Sequence, residues 1–297
     1  MKFKHFFQLI RFKNLLLLAF VQLLFWIHFN DNFTTTINII QFILLTTTTI
    51  FLAAAGNVIN DFFDIEVDKI NKPNKVLVGN VISKKKTLHL YYFLNFFGII
   101  SGISLAIIND KTNYGLIFII ISILLYFYSK SFKKIALLGN LIVSIFIAFS
   151  ILLIQLFPSI HLISVESYVR NRNLIFIYAT FAFFLNFIRE IIKDIEDIDG
   201  DFSQNMQTLP ILIGRKRVKS FVFYLSFIPF MFVILLTSYI NKPLFSIYSL
   251  IFIVVPLGYF IYQIKDSKSK RKLHQLSTLL KLIMFFGILS IIILFKT

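Results

Sequence analysis

Apolar residues in this chain run on far longer than the alternation of a half-buried strand or the three-to-four spacing of an amphipathic surface helix allows. Nine stretches are apolar over the roughly 17–25 residues needed to cross a hydrocarbon core. Their approximate limits are 14–29, 37–60, 88–108, 114–128, 135–157, 174–192, 220–240, 244–263 and 277–295. Short polar segments rich in Lys, Asn and Asp separate them. The pattern predicts an all-α polytopic membrane protein, a bundle of nine transmembrane helices forming a single domain over 1–297. The first stretch begins behind Lys2, Lys4, Arg11 and Lys13, as a signal peptide would, but no small-residue cleavage site follows Trp26 and His28. It reads as a retained first span.

Composition agrees: 58% of residues are hydrophobic, 15% are charged, and the mean hydropathy is +0.82. The basic character has an address. On the nine-span reading, 24 of the 30 Lys and Arg residues fall at the N-terminus or in the loops after even-numbered spans. The opposite side holds only Lys111, Arg170, Arg172, Lys242 and Lys296. This asymmetry predicts a cytoplasmic N-terminus in a bacterial or archaeal cell membrane, with the bilayer as the chain's partner. It also accounts for the isoelectric point near 9.9 without a nucleic-acid ligand. Cysteine is absent, which removes disulfides, thiolate chemistry and Cys-bound metals.

The acids are the exception to the greasy pattern. Of fourteen, four lie in 61–68 and six in 190–201, each group at the cytoplasmic end of a predicted span. Solvated juxtamembrane faces favour Lys and Arg, so two dense acidic groups on that side call for cations. Asn60, Asp64 and Asp68 fall at i, i+4 and i+8, one face of a helix that continues past the span, while Asp61 and Glu66 fall off it. Glu190, Asp194, Asp197 and Asp201 are spaced 4, 3 and 4, again one face. Oxygen donors without His or Cys suit a hard divalent ion, and Mg²⁺ in particular where phosphate is also a ligand. An EF-hand does not fit, because counting from Asp194 puts Asp199 where Gly is needed and Asn205 where Glu is needed.

Cations stand beside these acids. "NKPNK" sets Lys72 and Lys75 just after the first group, with Pro73 ending the helix. "YSKSFKK" puts Lys133 in the next cytoplasmic loop, with Tyr128 just before it. Lys72, Lys75 and Lys133 are therefore candidate diphosphate contacts, and Tyr128 a candidate member of the same site.

These residues resemble the UbiA superfamily of intramembrane prenyltransferases. The family's NDxxDxxxD motif is matched by Asn60, Asp61, Asp64 and Asp68, and its DxxxD motif by Asp197 and Asp201 in "REIIKDIEDIDGD". "RFKN" before the first span and "YSKSFKKIALLGN" between the fourth and fifth extend the likeness over at least 11–214. One departure stands out: the family's RPxRPL is here "KPNKVLV", so Lys72 and Lys75 keep the charge of arginines but lose the bidentate fork. Within the superfamily the motifs are most similar to the digeranylgeranylglyceryl phosphate synthase branch.

The resemblance implies a site opening at the cytoplasmic side. There Mg²⁺ on Asn60, Asp64, Asp68, Asp197 and Asp201 binds a polyprenyl diphosphate, and the prenyl group passes to a membrane-associated acceptor. Glu190, with Asp194 one turn on, is expected to position the acceptor or take its proton, Asp194 also helping to hold the ion. Arg11, Asn14, Asn140 and Arg189 are expected to orient an anionic acceptor. The implied acceptor is geranylgeranylglyceryl phosphate; 4-hydroxybenzoate or dihydroxynaphthoate, the acceptors of quinone biosynthesis, is the alternative. A cation-coupled transporter, the competing class, would place its acids near the bilayer midplane rather than at one surface.

Overall fold

The computed structural model describes residues 3–31, 37–157 and 165–296. Lys2 and the side chains of Arg170 and Lys296, which entered the charge count, lie outside what is described. Contacts divide the chain into two compact units, one of residues 1–133 and 152–172, the other of 134–151 and 173–297.

The first unit is built from α1 (Phe3–Leu9), α2 (Phe12–Asp31), α3 (Ile39–Phe63), α4 (Ile65–Asn71), α5 (Lys84–Ile108) and α6 (Gly115–Lys130). Two of its helices start where the chain supplies an acceptor for orphan N–H groups. Asn38 and Gln41 form a reciprocal capping box on α3, and the Ser83 hydroxyl accepts from the Lys86 N–H at the head of α5. The centre is α3 packed along α5. Gly98 makes that approach possible, since a Cβ there would lie 3.0 Å from Leu52, and Gly102 does the same for α5 against α6, where a Cβ would lie only 2.4 Å from the fully buried Phe118 ring. Some polar groups inside the spans are satisfied in pairs, Thr49 with Gln22 at 3.0 Å and Ser122 with Asn95 at 2.7 Å, as a medium without water favours.

The second unit holds α7 (Leu138–Leu152), α8 (Val165–Ser203), α9 (Leu209–Ile213), α10 (Arg215–Leu225), α11 (Phe227–Ile240), α12 (Pro243–Ser249), α13 (Val255–Ile264) and α14 (Lys270–Lys296). The first few residues of α8 and the last of α7 are counted with the first unit. A π-helical turn at Leu250–Val254 joins α12 to α13, where Pro256 has no N–H to donate. The core runs along one face of α8, from Phe181 through Leu185, Ile188 and Ile192 to Ile195, against Leu257, Phe260, Leu276, Leu280 and Ile283. Gly287 of α14 lets Phe181 close, a Cβ there falling 2.7 Å from the ring.

Among the described residues eight helical segments are long and apolar enough to cross a membrane, and the count reaches nine if α1 and α2, bent by 60° at their junction, are one span. All nine expected cores coincide with helix. Large apolar side chains such as Phe96, Ile120, Leu235 and Val255 stay half exposed on span faces, the pattern of surfaces in contact with lipid. Two boundaries differ from expectation. The sixth span's helix does not end near 192: α8 continues to Ser203, so the acids spaced 4, 3 and 4 all lie on helix, as that spacing implied. The first motif straddles a junction, with Asn60 and Asp61 in α3, Asp64 between helices at φ −90°, ψ 3°, and Asp68 in α4. Backbone bonds from Asp64 N–H to Asn60 O (2.9 Å) and from Asp68 N–H to Asp64 O (2.8 Å) keep the four-residue spacing across the bend.

Candidate active site

The first motif folds into a cluster of opposite charges. Asp64 sits where α3 gives way to α4, and its carboxylate meets the Lys133 ammonium, which arrives from the 3₁₀ turn Phe132–Lys134 after α6. The same ammonium donates to Asn60 Oδ1 at 3.1 Å, and Asn60 Nδ2 donates to the second oxygen of Asp64 at 2.7 Å. Lys133 and Asp64 are mostly buried, their side chains 10% and 17% exposed. An ion pair in such surroundings is held by geometry, because each charge would be costly alone. Burial pushes the Lys133 ammonium below its ordinary range, against the pull of Asp64 and Asp68.

Arg11 closes the other side. It lies at the bend between α1 and α2 in the left-handed region, φ 55°, and donates to Asp61 Oδ1 at 2.8 Å. Asn57 Nδ2 donates to Ile10 O at 3.0 Å, so the bend is pinned to α3 twice. Arg11 is thus committed to Asp61, a motif acid off the predicted ligand face, and also lies within electrostatic range of Tyr128. Asp68 follows one turn after Asp64. Burial first, then the Asp64 charge, pushes its carboxyl up to about 6, with Lys72 opposing. Lys72 caps the end of α4, where Pro73 stops the helix as expected, while Lys75 is exposed on the following 3₁₀ turn. Glu66 pairs with Lys69 at 2.8 Å in solvent, as its place off the face implied. Asn14 is exposed in the first turn of α2, its N–H donating to Arg11 O at 2.8 Å.

In the second unit the acids of α8 are also held. Glu190 Oε1 accepts from Arg189 Nη1 at 2.8 Å and from Lys193 Nζ at 2.7 Å. Asn140, buried in α7, donates to Asp194 Oδ2 at 2.8 Å. Arg189 and Asn140, expected to face an acceptor, are here engaged with the two carboxylates expected to act on it. Behind Asn140 the network continues through residues the sequence reading did not single out. Its carbonyl accepts from Ser144 Oγ at 2.6 Å, and Asn186 Nδ2 donates to that hydroxyl at 3.2 Å. Asn186 was findable: it lies four residues before Glu190, on the same face of α8. Asp201 is buried near the end of α8, within electrostatic range of Asp194, and Asp197 is half-buried one turn before it.

Among the described residues no three His, Cys, Asp or Glu side chains are gathered so as to hold a metal ion. The donor set nonetheless fits a hard cation on one observation. Asn60 Oδ1 and an Asp64 oxygen already converge on a positive charge, and the Lys133 ammonium stands where a divalent ion would find amide and carboxylate oxygens.

The profile of the UbiA prenyltransferase family matches residues 15–289, nearly the whole chain. The chain belongs to this family. It is therefore an alkyl-transferring enzyme and a multi-pass membrane protein, and the ion-like path of a transporter is not its function. Among its relatives, the UbiA chain is 38% identical over 220 residues to the digeranylgeranylglyceryl phosphate synthase of Methanococcus aeolicus, covering 73% of this chain and 71% of that one. It is 32% identical over 252 residues to that of Methanosphaera stadtmanae, covering 84% and 86%. A solved structure from work on digeranylgeranylglyceryl phosphate synthase in membranes superposes with a TM-score of 0.71 at 25% identity, covering 99% of both chains. A UbiA homologue from Archaeoglobus fulgidus, bound to GPP and Mg²⁺, shares the fold at a TM-score of 0.59 and 15% identity, covering 97% of this chain and 99% of that one.

Proposed function

We propose that this UbiA enzyme transfers a geranylgeranyl group from its diphosphate to geranylgeranylglyceryl phosphate, with Mg²⁺ held by Asn60, Asp64, Asp68, Asp197 and Asp201. The whole of 1–297 acts as one prenyltransferase domain, its N-terminus and both acidic motifs at the cytoplasmic face of a bacterial or archaeal membrane. The observation that carries the reading is the buried Lys133–Asp64–Asn60 group at the end of an apolar span, beside Arg11 and Asp61. A strongly charged ligand gives such a group a use there. The names borne by the relatives support the choice of acceptor.

In this reading the allylic C–O bond breaks with its electron pair passing to the diphosphate; Mg²⁺ held by the residues named above would supply positive charge against the charge that develops there. Lys72, Lys75 and Lys133 neutralise the rest, and Tyr128 lines the same pocket. Phe-rich span faces keep water from the electron-poor carbon. The acceptor hydroxyl attacks that carbon and gives its proton to Glu190 or Asp194. Asn140 fixes Asp194 through one oxygen, leaving the other to face the acceptor, while Arg11, Asn14 and Arg189 favour an anionic substrate.

The test is a proteoliposome assay with labelled geranylgeranyl diphosphate, offering geranylgeranylglyceryl phosphate, 4-hydroxybenzoate and dihydroxynaphthoate in parallel, with and without Mg²⁺. Product is expected with the glyceryl phosphate alone and only with Mg²⁺. Asp64→Ala and Asp197→Ala should each lower turnover by about 10²-fold or more. Turnover unchanged in both variants would remove the reading, and product from an aromatic acceptor instead would move it to quinone biosynthesis.

A further inference from the structure

Helix α8 carries more acids than the motif uses. Glu196 and Asp199 lie roughly half a turn around the helix from Asp194, Asp197 and Asp201, so they face away from the catalytic side. On that far side, wholly within the second unit, is a cavity of about 230 Å³ lined by Glu196, Asp199, Arg215, Lys219, Lys268 and Lys270, with Ser267 at its edge. This is more than ten times the ~10–15 Å³ needed to hold one water.

Charge in the cavity is unbalanced towards the positive. Asp199 is paired with Arg215 Nη2 at 3.0 Å and Glu196 meets His274 Nδ1 at 3.1 Å, so two acids stand against the four cations Arg215, Lys219, Lys268 and Lys270. Lys219 is not neutralised by a carboxylate in this arrangement: its ammonium donates to Lys265 O and Ser267 O, both at 3.2 Å, and so fixes the turn between α13 and α14. Lys268 and Lys270 extend from that turn, exposed. One turn along α10 from Lys219, the Lys265 ammonium stands 3.7 Å from the Phe223 ring centre and 5.5 Å from that of Tyr224, itself 67% exposed. An exposed tyrosine beside a lysine at the end of spans marks the depth of lipid headgroups.

We infer that this cavity is a second anion site, separate from the reaction centre, that holds a phosphate group, either the headgroup of an anionic membrane lipid or free phosphate. Cations that merely satisfy the topology of the membrane would be dispersed; these converge on one cavity from α10, the α13–α14 turn and the first residue of α14. The inference does not depend on the acceptor proposed above.

The test uses the full-length protein in nanodiscs of mixed phosphatidylcholine and phosphatidylglycerol, with bound lipid read by native mass spectrometry. Wild type should retain phosphatidylglycerol over phosphatidylcholine, and Lys268→Glu/Lys270→Glu should weaken that retention about tenfold or more. Arg215→Gln should weaken it in the same direction, and prenyl transfer should persist in the double variant. The control Lys84→Glu/Lys85→Glu, which reverses cytoplasmic charge away from the cavity, should leave retention unchanged. A parallel arm in lipid-free detergent titrates inorganic phosphate, read by thermal shift. A shift abolished by the double variant, without lipid preference, supports the site and makes free phosphate its ligand. Equal retention by wild type and double variant, with no phosphate shift, overturns the proposal, as does equal loss in the control.

Discussion

Lys133 shows how a single residue's meaning depends on what it meets. In the sequence it is one of three lysines in a basic loop; in the structure it is the one buried against Asp64 and Asn60. Lys133→Met leaves Asp64 without its cation in a mostly buried position, and turnover should fall about 10²-fold, measured by product formation at saturating substrate. Lys130→Met, one turn earlier and exposed, should change little. Asp68 supplies a pH dependence. Its folded value, about 6, lies above that of an unfolded carboxyl, so the stability it contributes is present below the ordinary carboxylate range and lost as pH rises through 6. Metal-free protein should therefore lose stability as pH rises from the ordinary carboxylate range, 3.8, to about 6, and Asp68→Asn should flatten that part of a melting-temperature profile. Because the same proton competes with a cation, Mg²⁺ should bind more tightly as pH rises through about 6, a trend visible by calorimetry.

Between elements, close approach rather than charge decides. The α3–α5–α6 contact depends on Gly102, where even a methyl group would overlap Phe118 at 2.4 Å. Gly102→Val should cost about 1–3 kcal/mol through overpacking, seen as a lower melting temperature in detergent, with Gly102→Ala intermediate. Because α3 ends in Asn60 and Asp61, displacing it also shifts the first motif, so activity should fall with stability. The stop at Pro73 was legible from local chemistry, since a proline acts on the helix that precedes it. The length of α8 was not. The 4, 3, 4 spacing of its acids implied a helical face, but the apolar run that marks the span stops near 192, and the hydrogen bond from Asn140 that holds Asp194 comes from a residue 54 positions away.

For the whole molecule, the one-sided distribution of lysines and arginines predicts its orientation in the membrane. The absence of cysteine makes this directly testable, because any cysteine introduced is the only one. Lys85→Cys should react with a membrane-impermeant maleimide only from the cytoplasmic side, and Asn113→Cys only from the opposite side. Reversed labelling would invert the assigned topology and place the acidic motifs outside. The sequence by itself determined that the chain crosses a membrane repeatedly, that its acids gather at the ends of two spans, and that their spacing puts Asn60, Asp64 and Asp68 on one face. Those properties depend on run length and helical period, which are local. Only the tertiary structure decided that Arg11 pairs with Asp61 and that Lys133, rather than Lys72 or Lys75, is buried on Asp64. It also decided that Asn140 serves Asp194, and that Glu196 and Asp199 turn toward a separate basic cavity. Partners 50 or more residues apart are chosen by helix register, bend and close packing, which a one-dimensional pattern does not contain.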